Sequence, residues 1–289
     1  MDGIPLGSSY TWRDARARGV TRGQIALDGL PIARGLYVSR ALPPTLAVRC
    51  RAWTRLLPPD AAFGLETAAA LLGAELRPPP PVQIVLRPRP VLPRRAGLRV
   101  HVRDLREDDV VEAEGLRVTS GAQTFLDLAA RLPPAELVAV GDALMRRGRL
   151  TADEVAARLA RAEGVRGVVR GRACAPLLTA EAHSRPESLV RYWIHGAGLP
   201  VPRPQVPVHD RWGREVCHAD LGYEEWKVAL EYEGRQHAEP EQFGRDIDRY
   251  SLMAADGWLL LRYAGRHLAR PATIVDRTQR ALLSRGWRR

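Results

Sequence analysis

The segment Cys217–His237, CHADLGYEEWKVALEYEGRQH, restricts the fold more than any other part of the chain. It reads as two short strands joined at Gly222 to Glu225. The second, Trp226 to Tyr232, carries Val228, Ala229 and Leu230 in sequence, a continuous apolar run that suits a strand covered on both faces. Strand side chains alternate, so Glu231 and Glu233 share one face and Tyr232 takes the other. If Asp220 faces the same way, three carboxylates converge. Like charges beside an apolar sheet repel unless a cation sits among them, and hard oxygen ligands suit Mg²⁺ or Mn²⁺. Spacing alone equally allows three solvated acids on an edge strand.

Asp220, a ten-residue gap, Glu231-Tyr232-Glu233-Gly234 and then His237 resemble the very-short-patch-repair (Vsr)-like branch of the PD-(D/E)xK nuclease superfamily, in its actinobacterial type. The resemblance runs from Ser184 to Arg289. A Ser-x-x-Glu helix precedes the block; Arg245, Asp246 and Arg249 and then a Gly257-Trp258 strand follow it. The superfamily motif usually ends in Lys, where this chain has Glu233. The resemblance implies a three-layer restriction-endonuclease-like domain that hydrolyses phosphodiester bonds. Asp220 and Glu231 would hold Mg²⁺ or Mn²⁺, which lowers the pKa of a bound water. Glu233 would bind a second metal or take a proton from that water. Gln236 and His237 would position phosphate or water, and His218 would stand behind Asp220. Glu187 has two readings, a capping box with Ser184 and a place beside the metal, and both can hold at once.

Charge points the same way. Lys and Arg total 44 against 33 for Asp and Glu, a net charge of +11 in 289 residues, which favours a polyanionic partner, nucleic acid before an anionic membrane. Lys227 is the only lysine, so the cations are arginines, which pair bidentately with phosphate and guanine. A GC-rich genome accounts for the Arg-to-Lys ratio and part of the charge. Cys50, Cys174 and Cys217 are far apart and form no CxxC, which argues against a zinc site or a disulfide framework. No run approaches a membrane span and no signal-peptide core opens the chain, so a cytoplasmic protein is expected.

Upstream, Thr11-Trp12-Arg13-Asp14 and Thr21-Arg22-Gly23-Gln24 each start a short helix, with Gly19 stopping the first. A turn and a strand through Val38 follow, giving the order of a winged helix-turn-helix. The pieces GVTRGQI and ARGLYV resemble the N-terminal part of AbiEi-type antitoxins, with Arg22 on the recognition helix and Arg34 on the wing. Val82–Leu86, Leu98–Val102 and Leu116–Ser120 read as strands; the last of them, the step at Thr119-Ser120, a helix capped by Ser120 or Thr124 and the helix from Ala135 to Arg147 resemble the middle of the same proteins. The basic, proline-rich RPRPVLPRR (87–95) reads more simply as a solvated turn than as a phosphate contact. Asp127 and Asp142 read as polar faces of amphipathic helices, and Gly164 to Arg172 as a joint.

The expected fold is α/β, α+β overall, in three parts: a winged-helix-like 1–44, a mixed 45–178 and a nuclease-like 179–289. The expected function is a metal-dependent DNA endonuclease in repair or defence. The alternative is a non-cleaving DNA-binding regulator or antitoxin-like protein. Arg22, Arg34, Arg191 and Arg249 are the expected DNA contacts, and a toxin–antitoxin or repair protein the expected protein partner.

Overall fold

The computed structural model describes residues 7–43, 45–78, 80–233 and 240–289, with backbone alone for 240–246. It is a mixed α/β structure. Its contacts divide it into two units, Met1–Arg131 with Arg149–Val168, and Leu132–Gly148 with Val169–Arg289. By contacts the segment 132–148 groups with the C-terminal residues.

The first unit opens with β1 (Ser9–Thr11), α1 (Trp12–Ala17), α2 (Arg22–Asp28), β2 (Gly29–Ala33) and β3 (Leu36–Ser39). Both helices start as expected. Thr11 and Asp14 form a capping box, as do Thr21 and Gln24, so each satisfies two backbone N–H groups that the helix leaves free. Gly19 turns the chain at φ +71°, a conformation a Cβ would disfavour. Past α2 the expected turn and strand are a full hairpin: β2 and β3 pair antiparallel, and β1 closes a three-stranded sheet in the order β1-β3-β2. Buried Tyr10, Ala15 and Ile25 hold helices to sheet, and Tyr10 stacks on Tyr37 at 5.6 Å.

Next come α3 (Leu46–Thr54), β4 (Ala62–Phe63), α4 (Leu65–Leu71), β5 (Val82–Leu86), β6 (Leu98–Val102), β7 (Val110–Ala113), β8 (Leu116–Thr119) and α5 (Gly121–Ala129). The strands form a five-stranded sheet in the order β6-β5-β4-β8-β7. All five residues of β5 are buried, as a central strand requires. Ser120, not Thr124, caps α5; Thr124 bonds Thr119 instead. After α6 (Pro134–Arg146), which belongs to the second unit, α7 (Ala152–Ala160) returns to the first, capped by Thr151 and Glu154. The expected joint at 164–172 is partly helical as α8 (Val168–Cys174), and the change of unit falls inside it.

In the second unit α9 (Arg185–Gly196) leads to β9 (Arg203–His209), β10 (Glu215–Tyr223), β11 (Val228–Glu233), α10 (Pro240–Ala255), β12 (Leu259–Ala264), α11 (Gly265–Leu268) and α12 (Pro271–Ser284). The sheet order is β12-β11-β10-β9; β9, β10 and β11 run antiparallel in succession, and β12 lies parallel to β11. One apolar cluster joins Val190 and Ile194 of α9, Leu221, Leu230 and Tyr263 of the sheet, and Ile274 and Leu282 of α12. A second joins Val206, Ala219 and Ala229 to Met253 of α10 and Trp258. Burying a side chain of that size stabilises a fold by roughly 1.5–3 kcal/mol, so both sheet faces are committed. Helices on both sides of one sheet give the expected three layers.

Before α9 the chain makes only a short turn of 3₁₀ helix at Ala175–Leu177. The strand β9 contains Pro204 and Pro207, which hide its pattern; it is an edge strand, where a missing N–H is tolerated. On α10 Met253 is buried and Arg249 and Tyr250 are half-buried, while Ile247 and Ala254 are exposed. The helix is rotated so that these two polar residues meet the acids of β11. Among the described residues no helix is long and apolar enough to cross a membrane.

Candidate functional site

Two places bring chemistry-bearing side chains together, one in each unit.

The first is the acid cluster of the second unit. Glu231 is buried on β11, and its Oε2 accepts from Arg249 Nη2 of α10 at 2.8 Å. Its Oε1 is buried and accepts from no group among the described residues. Glu233 lies two residues on, as alternation requires, and is bound by the Arg262 guanidinium; Tyr250 Oη donates to it at 3.3 Å. Arg249 and Arg262 both lie over the Tyr250 ring, at 5.1 and 4.3 Å. Asp220 Oδ2 accepts from the backbone N–H of Tyr232 at 2.8 Å, tying β10 to β11 beyond their last ladder pair.

Glu187 is buried at the start of α9. Ser184 Oγ donates to its Oε1 at 2.8 Å, and the backbone N–H of His183 donates to Oε2 at 2.9 Å. The expected capping box thus closes one residue early, on His183. Gln205 Nε2 reaches the same carboxylate at 3.4 Å. Burial pushes the Glu187 carboxyl above its ordinary range, the two donors hold it down, and Asp220 adds to the rise. Burial also pushes Glu231 up, Arg249 pulls it down, and Asp220 again pushes it up. Asp220 thus adds to the rise of both carboxyls, while Glu233 is bound by Arg262.

As a metal centre the set has the right chemistry, hard carboxylate oxygens, and one free buried oxygen on Glu231. However, among the described residues no three Asp, Glu, His or Cys side chains come close enough to share an ion. The positive charge that spacing assigned to a metal is supplied at Glu231 by Arg249 and at Glu233 by Arg262. The described residues do not fit a metal ion held jointly by Asp220, Glu231 and Glu233. Gln236 and His237 lie outside the described residues. His218 is exposed with Nδ1 3.5 Å from Glu215, away from the acids.

Two arginines expected at DNA lie elsewhere. Arg191 is buried, and its Nη2 donates to Asp142 Oδ2 on α6 at 2.7 Å; it pairs neither with Glu187 nor with solvent-facing phosphate. Asp142 also accepts from the backbone N–H of Thr179 at 2.8 Å, so it is a buried anchor and no polar face. Arg249 is engaged by Glu231. Sequence reasoning missed Arg262, an exposed arginine that interrupts the apolar run Trp258–Tyr263 and pairs with Glu233.

The second place is the N-terminal module. Arg22 on α2 and Arg34 beside the β2–β3 turn are both exposed, and together with Arg95 they border a groove of about 680 Å³ floored by Trp12, Ile25 and Tyr37. Arg22 stacks over the Trp12 ring at 5.4 Å. A contiguous groove of about 620 Å³ adds Arg13, and also Arg55, which pairs with Asp14 at 3.2 Å. Arg95 ends the basic proline-rich segment read above as a solvated turn; the structure places it with the other cations.

Residues 60–177 match the AbiEi antitoxin C-terminal domain. The likeness expected of the middle region is thus found, and it extends into the helices past Leu132. Over 259 residues the chain is 30% identical to uncharacterized protein MT2308 of Mycobacterium tuberculosis strain CDC 1551 / Oshkosh and to uncharacterized protein Rv2248 of strain H37Rv; each alignment spans 86% of this chain and 92% of the relative.

Proposed function

The chain belongs to the family of the M. tuberculosis protein Rv2248, and from that premise we propose that it is a DNA-binding regulator of the antitoxin class. In this reading the C-terminal unit keeps the helix, three strands, helix, strand order of a nuclease fold and does not cut. One observation carries it: the AbiEi domain match is preceded by two short helices and a three-stranded sheet that put Arg22 of α2 and Arg34 of the β2–β3 turn on one exposed groove, which we read as a winged helix. The replacement of a cation by Arg249 and Arg262 at the acids supports the non-cutting half. A toxin is the protein partner that follows.

DNA phosphates would be met by Arg22, Arg34 and Arg95, releasing counterions. The test is duplex affinity against salt, wild type beside Arg22→Ala/Arg34→Ala. The expected result is weaker binding and a log–log slope shallower by about 1.8, the loss of two phosphate contacts. Equal slopes refute the assignment.

A second reading, a Mg²⁺- or Mn²⁺-dependent endodeoxyribonuclease, is favoured by the free buried Oε1 of Glu231. It requires the arginines to leave the acids, and plasmid cleavage that depends on the metal would establish it.

A further inference from the structure

A cavity of about 450 Å³ in the first unit is bordered by Leu65, His101, Arg103, Asp127, Arg131 and Arg166. Behind it lie two buried relays of the same design. Asp127, 3% exposed, accepts from Arg103 Nε at 2.8 Å and from Gln123 Nε2 at 3.0 Å. Glu66, 5% exposed, accepts from Arg131 Nε at 2.8 Å and from the Gln83 amide. Each buried acid thus grips an arginine by its Nε and is itself gripped by a glutamine. The glutamines are fixed in turn: Arg158 Nε donates to Gln123 Oε1 at 2.8 Å, and His101 Nε2 meets Gln83 Oε1 at 3.1 Å.

The second contact settles a tautomer. Gln83 must turn its NH₂ to the Glu66 carboxylate, so its Oε1 faces His101 and can only accept. His101 therefore carries its proton on Nε2 and leaves Nδ1 as an acceptor. Burial, and then Arg103 and Arg131, lower its proton affinity, and both arginines border the same cavity as His101.

Both arginines are about a third exposed, although their acids are almost wholly buried. Their Nε atoms face inward, and both terminal nitrogens of Arg131 and Nη2 of Arg103 are left without a partner among the described residues. Arg166, exposed on the rim, also has none. Asp127 and Glu66 offset Arg103 and Arg131, and exposed Arg166 leaves the group with one positive charge in excess, which favours an anion there. A buried network is a poor device for stability alone, because removing two charges from water costs several kcal/mol. The backbone is strained at the same spot. Leu65 lines the cavity at φ +53°, and the preceding Gly64 approaches so closely that a Cβ there would lie 2.3 Å from Val85.

We propose that this cavity is a binding site for a small phosphate-bearing ligand, clamped by the Arg103 and Arg131 guanidinium groups and closed by Arg166, which makes the regulator responsive to a solute. The two terminal nitrogens of Arg131 present a fork to phosphate oxygens, Arg103 Nη2 adds one more donor, and the volume lies in the range of small-molecule pockets, not of a duplex. The inference stands independently of DNA binding, since it uses none of the N-terminal residues.

The test is calorimetric titration of the full chain with inorganic phosphate, pyrophosphate and sulfate at constant ionic strength. The expected result is saturable, single-site binding of phosphate or pyrophosphate. Arg166→Glu, at an exposed position, weakens it about tenfold with an unchanged melting curve. Arg131→Lys, which keeps the charge and loses the fork, weakens it by about the same factor. Duplex affinity is unaltered by Arg166→Glu. No saturable binding of any of the three anions overturns the proposal, and so does binding that both variants leave unchanged. If Arg166→Glu weakens duplex binding and not phosphate binding, the face serves nucleic acid and the proposal falls.

Discussion

Replacing Arg249 with Met removes the cation that neutralises Glu231 while keeping the bulk of its stem. Glu231 is 5% exposed, its Oε2 loses the 2.8 Å donor, and its Oε1 already lacks one. Removing one partner of a fully buried pair costs about 3–5 kcal/mol. The Arg249 side chain is 33% exposed, so solvent screens part of the pair, which trims the expected cost to about 1–3 kcal/mol. For a domain of this size that is a fall in Tm of about 2–12 °C. The loss depends on pH. Burial raises the Glu231 carboxyl in the folded state, so folding is favoured below its unfolded value and loses that advantage as pH rises through the folded one. Without Arg249 the folded carboxyl rises further. The gap between variant and wild type is thus widest near neutrality and closes as pH falls to the ordinary carboxylate range, where Glu231 is protonated in both. Thermal unfolding from pH 4 to pH 8 reads it. An unchanged Tm at neutrality, or a gap of constant size across the series, refutes the view that Arg249 is the charge partner of Glu231.

Asp142→Ala leaves Arg191 buried without its partner and frees the Thr179 N–H; a loss of about 3–5 kcal/mol in urea unfolding is expected. Glu187→Ala removes the acceptor for His183 and Ser184 at the start of α9 and should cost about 1–2 kcal/mol, equally with and without Mg²⁺; a cost that appears only with the metal would give Glu187 a ligand role. Burial pushes the Cys50 thiol up to about 12, so native protein at pH 7 should leave Cys50 unlabelled by iodoacetamide and unfolded protein should label it, as mass spectrometry of peptides would show.

The parts of this fold that announce themselves are local. Thr11, Thr21 and Thr151 are followed three residues later by Asp, Gln or Glu, and each starts a helix where that spacing places it. The alternation of Glu231, Tyr232 and Glu233 also holds, since Glu231 and Glu233 both meet α10. What fails depends on partners distant in sequence. The edge position that excuses the prolines of β9 is invisible until β10 pairs with it. Asp142 and Arg191 are 49 residues apart, so each alone looks like a surface charge on an amphipathic helix. The same holds for the relays behind the cavity, in which Glu66, Gln83 and the pair Asp127 and Arg131 come from three separate segments. At the acids, spacing identified a place that needs positive charge but not what supplies it. Arg249 and Arg262 come from the next helix and strand, and only the register of β11 against β12 brings Arg262 to Glu233.

The central claim is that the chain binds DNA and leaves it intact. Supercoiled plasmid incubated with the full chain in EDTA, Mg²⁺ or Mn²⁺ tests it in one gel. The account predicts retarded plasmid under all three conditions, weakened by added salt and by Arg22→Ala/Arg34→Ala, which after protein removal runs as fully supercoiled. Open-circular or linear product that requires the metal and disappears in a folded Asp220→Asn variant would contradict it.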